Sequence, residues 1–96
     1  MQNSRLKTFV GFAIKKRAVL IGVDNVTTAK HKIKVILADG TLSERSAGMI
    51  SRYASEHDIP CFYLDLEPIL PGRSCKAIGI TDSGLSDAIK SELKES

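Results

Sequence analysis

Apolar positions along the 96-residue chain recur at two different spacings, and the chain switches between them. Leu6, Phe9, Val10, Ala13 and Ile14 fall at helical spacing, with Asn3 or Ser4 placed to cap them, so an amphipathic helix is predicted over 4–15. Ala18-Val19-Leu20-Ile21 is a continuous apolar run ended by Gly22, the pattern of a strand buried on both faces. Asp24 or Asn25 can cap a short helix reaching about His31, weakened by the β-branched Val26, Thr27 and Thr28. Lys34 to Ala38 reads as a second buried strand, closed by Asp39-Gly40. Thr41 and Glu44 form a capping box for a helix ending near Glu56, with Ala47, Ile50, Tyr53 and Ala54 on one face. Pro60 precedes a third strand, Cys61-Phe62-Tyr63-Leu64. Residues 66–74, with Pro68, Pro71 and Gly72, make a loop or one helical turn. Lys76 to Ile80 is a fourth strand. Asp82 or Ser83 caps a last helix striped by Leu85, Ala88, Ile89 and Leu93.

Alternation of this kind predicts an α/β fold: a three-layer α/β/α sandwich, with a four-stranded mixed sheet covered by helices on both faces. No repeat, linker or low-complexity stretch divides the chain, so residues 1–96 are expected to form one domain.

Composition narrows the class. Apolar residues make up 43% of the chain and are dispersed among charges, as in a globular domain. No apolar run is long enough to span a bilayer, so no membrane partner is expected. The N-terminus enters an amphipathic pattern rather than an apolar signal core, which points to a cytoplasmic protein. Cys61 and Cys75 lack metal-like spacing and read as reduced structural thiols.

Charge is more informative than its total of +3. Residues 1–34 carry Arg5, Lys7, Lys15, Lys16, Arg17, Lys30, Lys32 and Lys34 against the single acid Asp24, while residues 35–96 carry more acids than bases. Such a dipole suggests a polyanion at the N-terminal half, although a solvated basic face would look the same.

Candidate chemistry is sparse. Asp39, Asp65 and Asp82 each follow an apolar strand, and three carboxylates at one sheet edge could hold magnesium. Turn formation and helix capping account for the same residues. His31 and His57 lie near helix ends in polar surroundings, and no serine sits in a nucleophile pattern. Gly72, Gly79 and Gly84 do not form a phosphate loop. We therefore expect no catalytic residue, metal or cofactor, and a protein that is not an enzyme.

The segment from Lys15-Lys16-Arg17 to Lys34 is more specific. Gly22 would let backbone approach a ligand, Asp24 and Asn25 could read base edges, and the lysines could hold a sugar-phosphate backbone. Asp24 and Asn25 are also good helix caps.

Three stretches in this element order resemble the kink-turn-binding ribosomal-protein superfamily (large-subunit proteins seven-Ae and thirty-e), and most of all its small bacterial seven-Ae-like members. They are Gly11–Lys16 leading into Leu20-Ile21-Gly22, then Lys34–Asp39, and Ala77–Leu85. The resemblance covers Phe9 to about Leu93. It implies an α/β/α sandwich that recognises sharply bent RNA with tandem sheared G·A pairs. The family's reading turn, Gly-x-Asn-Glu with a Lys three residues on, falls on Gly22-Val23-Asp24-Asn25 and Thr28. Gly22 matches, while Asp24, Asn25 and Thr28 replace Asn, Glu and Lys. The family's second contact, the loop before the last strand, falls on Leu66–Arg73, with Glu67 where a Gly is usual.

The expected function is RNA binding by a ribosome-associated monomer, with structured RNA, including ribosomal RNA, as partner. The nominated contacts are Lys15, Lys16, Arg17, Gly22, Asp24, Asn25, Thr28, Lys30, Lys32, Gly72 and Arg73. The altered turn and the acidic C-terminal half motivate an alternative, a protein-interaction module that kept the fold without kink-turn specificity.

Overall fold

In the computed structural model, which describes residues 2–29, 32–70 and 76–95, the sequence period decides the layers. The elements are α1 (Gln2–Lys15), β1 (Val19–Ile21), α2 (Val23–Thr27), β2 (Val35–Asp39), α3 (Glu44–Glu56), β3 (Cys61–Leu64), β4 (Ala77–Ile80) and α4 (Ser83–Glu95). The strands form one mixed sheet in the order β1-β4-β2-β3. β4 is antiparallel to both β1 and β2, whereas β2 and β3 are parallel, as a strand–helix–strand crossover through α3 requires.

Alternation along each strand sorts the core into two halves. Val35, Leu37, Ile78 and Ile80 face α1 and α4, where they meet Leu6, Val10, Ala13 and Ile89. Ile36, Ala38 and Ala77 face the other way, onto Val26 of α2 and Ile50 and Ala54 of α3. The expected sandwich is therefore present, with a helix pair on each face. All five residues of β2 and all four of β4 are buried, as their unbroken apolar runs predict. β1 departs from expectation: its residues are only half-buried because it lies at a sheet edge.

Helix starts differ in three places. α1 begins at Gln2, ahead of both proposed caps, Asn3 and Ser4. The cap of α3 is Ser43, whose side chain accepts from Ser46 N, and not Thr41. Thr41 is engaged elsewhere, donating both N–H and O–H to Asp39. α2 begins at Val23 with Gly22 as its cap and no side-chain cap bond, so neither Asp24 nor Asn25 caps it. It also stops at Thr27, short of His31, as three β-branched residues in five would favour. The cap at Asp82 is as expected, its carboxylate accepting from Leu85 N at 2.8 Å.

Leu66, Ile69 and Leu70 form a single turn, with Leu70 N donating to Leu66 O at 2.8 Å. All three are buried against the α1–α4 face, so part of the expected loop is core.

Candidate RNA-binding turn and groove

Strand direction places the nominated residues that lie in the described part of the chain. β1 runs toward Gly22, and the Gly22 N–H donates to the Ala77 carbonyl where β4 begins. β2 runs the same way, ending at Asp39, as does β3, ending at Leu64. One end of the sheet thus carries Gly22, Asp39, Asp65 and Lys76. The opposite end carries Ala18, Lys34 and Thr81, joined by Thr81 N to Ala18 O and Lys34 N to Ile80 O.

The nominated residues divide between these ends. Gly22, Asp24 and Asn25 come together, lining an open groove of about 600 Å³ with Val23 and with Arg45, Ser46 and Met49 of α3. Lys15, Lys16 and Arg17 close α1 and sit at the other end, where β4 separates them from Lys34 and the start of β2. At about 3.3 Å per residue, the four extended steps from Ala18 to Gly22 put the end of α1 roughly 13 Å from the turn. Thr28 is turned back onto its own helix, its hydroxyl donating to Asp24 O at 2.6 Å. Lys30, Gly72 and Arg73 lie outside the described residues.

Gly22 has φ +104° and ψ 148°, a conformation open to glycine and strained for other residues. An added Cβ there would meet only Asn25 Nδ2 at 3.9 Å, so backbone conformation rather than crowding demands glycine. Asn25 fixes the turn by donating Nδ2–H to the Ile21 carbonyl at 2.7 Å. Its carbonyl oxygen faces away from that bond and remains an acceptor. Asp24 is exposed, and its carboxylate has no hydrogen-bond or ion-pair partner among the described residues. The same holds for the Arg45 guanidinium, which also lines the groove. Charge of each sign therefore faces the same space without being spent on the other. Sequence reasoning missed Arg45, Ser46 and Met49, because nothing in the spacing of α3 shows that its first two turns flank the β1–α2 turn.

The three strand-end carboxylates do not share a site. Asp82 follows an antiparallel strand and so stands at the far end, where it binds Lys16 at 2.5 Å. The Lys16 hydrogen bond, followed by that of Leu85 N, holds the Asp82 carboxyl below its ordinary range. Asp39 is buried, with one oxygen accepting from Thr41 N and Oγ1 and the other from Leu66 N at 3.2 Å. Those bonds, the Thr41 hydroxyl first, hold its carboxyl low against the opposing effect of burial. Asp65 accepts from Glu67 N. Among the described residues no group of three or more His, Cys, Asp or Glu side chains is placed to hold a metal. His57 ends α3 and lies against the Tyr53 ring at 4.3 Å. Burial pushes the half-buried Cys61 thiol up, while Cys75 lies outside the described residues.

No family model matches the chain, and no curated protein matches it. A solved structure, that of a protein of unknown function from Bacillus halodurans, superposes with a TM-score of 0.83 at 15% identity. The match covers 93% of this chain and 96% of that one, and it shows the shared fold. No helix among the described residues is long and apolar enough to cross a membrane.

Proposed function

We propose that this chain is a structured-RNA-binding protein, without catalytic activity, that reads a bent RNA of the kink-turn kind with the Gly22–Asn25 turn. The observation that carries this is the groove itself: Asp24 and Arg45 both line it, and both are unpartnered among the described residues. An RNA fold presents base amino groups next to phosphates, which is the pairing that an acceptor beside a guanidinium can take. Asp24 and the Asn25 carbonyl oxygen are acceptors, so they suit the N–H edges of guanine or the amino group of adenine or cytosine. Arg45 suits a phosphate, bidentately. The resemblance to the kink-turn-binding superfamily points to the same turn. It leaves the ribosome as the first place to look for the RNA, with the cytoplasm as its location and a monomer as the binding form.

A titration at fixed salt, comparing a kink-turn RNA with a duplex of equal length, tests this. Binding should favour the kink-turn. Asp24→Ala should cost about 1–3 kcal/mol on the kink-turn and much less on the duplex. Arg45→Ala should weaken both alike, as loss of a phosphate contact does. Equal affinity of the parent protein for the two RNAs would overturn the reading and favour the protein-interaction alternative.

A further inference from the structure

Placing Lys15, Lys16 and Arg17 at the far end of the sheet removes them from the groove and raises the question of what they serve. Lys15, Arg17 and Lys32 are exposed, Lys34 is half-buried, and none of the four has an ion pair among the described residues. Hydrogen bonds across β1, β4 and β2 fix how close they are. Ala18 is joined to Thr81, and Lys34 to Ile80, so Ala18, the residue after Arg17, lies about two strand spacings from Lys34, roughly 10 Å. Asp82, the acid bonded into this end, is occupied by Lys16.

An aromatic ring stands in the same place. Phe12 is 49% exposed, the most exposed large apolar side chain among the described residues, although α1 buries Leu6, Val10 and Ala13 on its inner side. It lies one helical turn before Lys15 and Lys16, with Lys16 N donating to its carbonyl at 3.0 Å. Residues three and four apart share a helix face, so the ring and the cations are neighbours. Arg17 follows with φ 58°, a left-handed conformation that turns the chain out of the helix just beyond the ring. An exposed ring with Lys15 on the same helix face and Arg17 next along the chain offers what an unpaired nucleic-acid strand requires: a platform for a base, and charge for the phosphates beside it.

We propose that this end of the molecule is a second nucleic-acid surface, for an unpaired strand. Phe12 stacks a base, and Lys15, Arg17 and Lys32 hold the backbone. The surface stands apart from the groove, so it binds a strand whether or not the turn reads a folded RNA, and with both engaged the protein bridges two RNA segments.

The test is binding of an eight-nucleotide oligouridylate, followed by fluorescence anisotropy and by amide NMR shifts, with an eight-base-pair duplex beside it. The oligonucleotide should move signals of Phe12–Ala18 and Lys32–Lys34 and leave Gly22–Asn25 in place. Phe12→Ala should weaken it about tenfold, as loss of one stacked base does. Arg17→Ala should also weaken it, and Asp24→Ala should not. Both Phe12 and Arg17 are exposed, and unchanged thermal melting of the variants checks that the fold is kept. Shifts confined to Gly22–Asn25, unchanged affinity of Phe12→Ala, or a duplex bound as well as the single strand would each overturn the proposal. Failure of Asp24→Ala on kink-turn RNA, with these results intact, would count against the groove alone.

Discussion

Asp39 is the residue whose hydrogen bonds tie three segments together: the end of β2, the Thr41 turn and the start of the Leu66 turn. Lys76 completes the set by donating to Thr41 Oγ1 at 2.8 Å. Because these bonds favour the charged form, the carboxyl titrates below its ordinary value of 3.8. The sign of the pH effect follows. The contribution is complete above the ordinary value and is lost as pH falls through the folded one. Asp39→Asn should therefore be less stable than the parent at pH 7, with the gap closing in urea titrations below about pH 4. A gap that stays constant down to pH 3 would contradict this. Gly79 is a second residue whose identity is set by a contact. A Cβ there would lie 3.0 Å from Ile33 Cδ1 and 3.2 Å from Cγ2. Gly79→Ala should cost about 1–3 kcal/mol by overpacking. Ile33→Val removes the nearer methyl, so the double variant should be more stable than the two single losses added together. Neither residue announces itself in the sequence, where Asp39-Gly40 reads as a plain turn and Gly79 as one more position of the fourth strand.

Helix ends are where the elements and the sequence part company, and the causes are local. Thr41 and Ser43 both suit an N-cap, and the structure gives the role to Ser43 because Asp39 has taken Thr41. No periodicity could have decided between them. α1 and α3 end alike, each in a left-handed residue followed by the bond pair of a Schellman motif. Ala18 N donates to Ala13 O and Arg17 N to Ile14 O, while Ile59 N donates to Ala54 O and Asp58 N to Ser55 O. Glycine is usual at such a position, but here Arg17 has φ 58° and Asp58 has φ 55°. A Cβ costs about 1–2 kcal/mol in this conformation, and glycine returns part of that through its looser unfolded chain. Arg17→Gly should stabilise the fold by about 0.5–1 kcal/mol in urea titration, and Asp58→Gly by less, since Asp tolerates the conformation better. A loss of stability in Arg17→Gly would mean that its side chain packs rather than strains. Neither end carries a glycine signal, so in the sequence only the end of the apolar stripe marks them. The apolar runs of β2 and β4 are legible in the sequence because burial on both faces selects apolar residues, and the one carboxylate there, Asp39 at the end of β2, is buried only with its hydrogen bonds made.

Across the whole molecule, the basic half of the sequence is not a basic half of the surface. The sheet sends Lys15, Arg17, Lys32 and Lys34 to one end, and it brings Asp24, Asp39 and Asp65 together with Arg45 and Lys76 at the other. A linear charge count cannot see this, since strand direction and order decide it, and the order β1-β4-β2-β3 depends on long-range pairing. The consequence is measurable in salt. The groove has few cations, so a compact kink-turn RNA bound there should release about two counterions, giving a slope of log K against log salt near −2. An RNA with the same kink-turn and an unpaired flank long enough to reach Phe12 adds about three phosphate contacts at about 0.7 each, steepening the slope to about −4. Arg17→Ala and Lys15→Ala together should return the flanked RNA most of the way to the shallower slope while leaving the compact RNA unchanged. If the two RNAs give the same slope with the parent protein, the cations at the far end are solvated charge and nothing more. If the compact RNA already gives the steep slope and the double variant flattens it, the RNA wraps from the groove along the sheet to Lys15, and the two ends act as one surface.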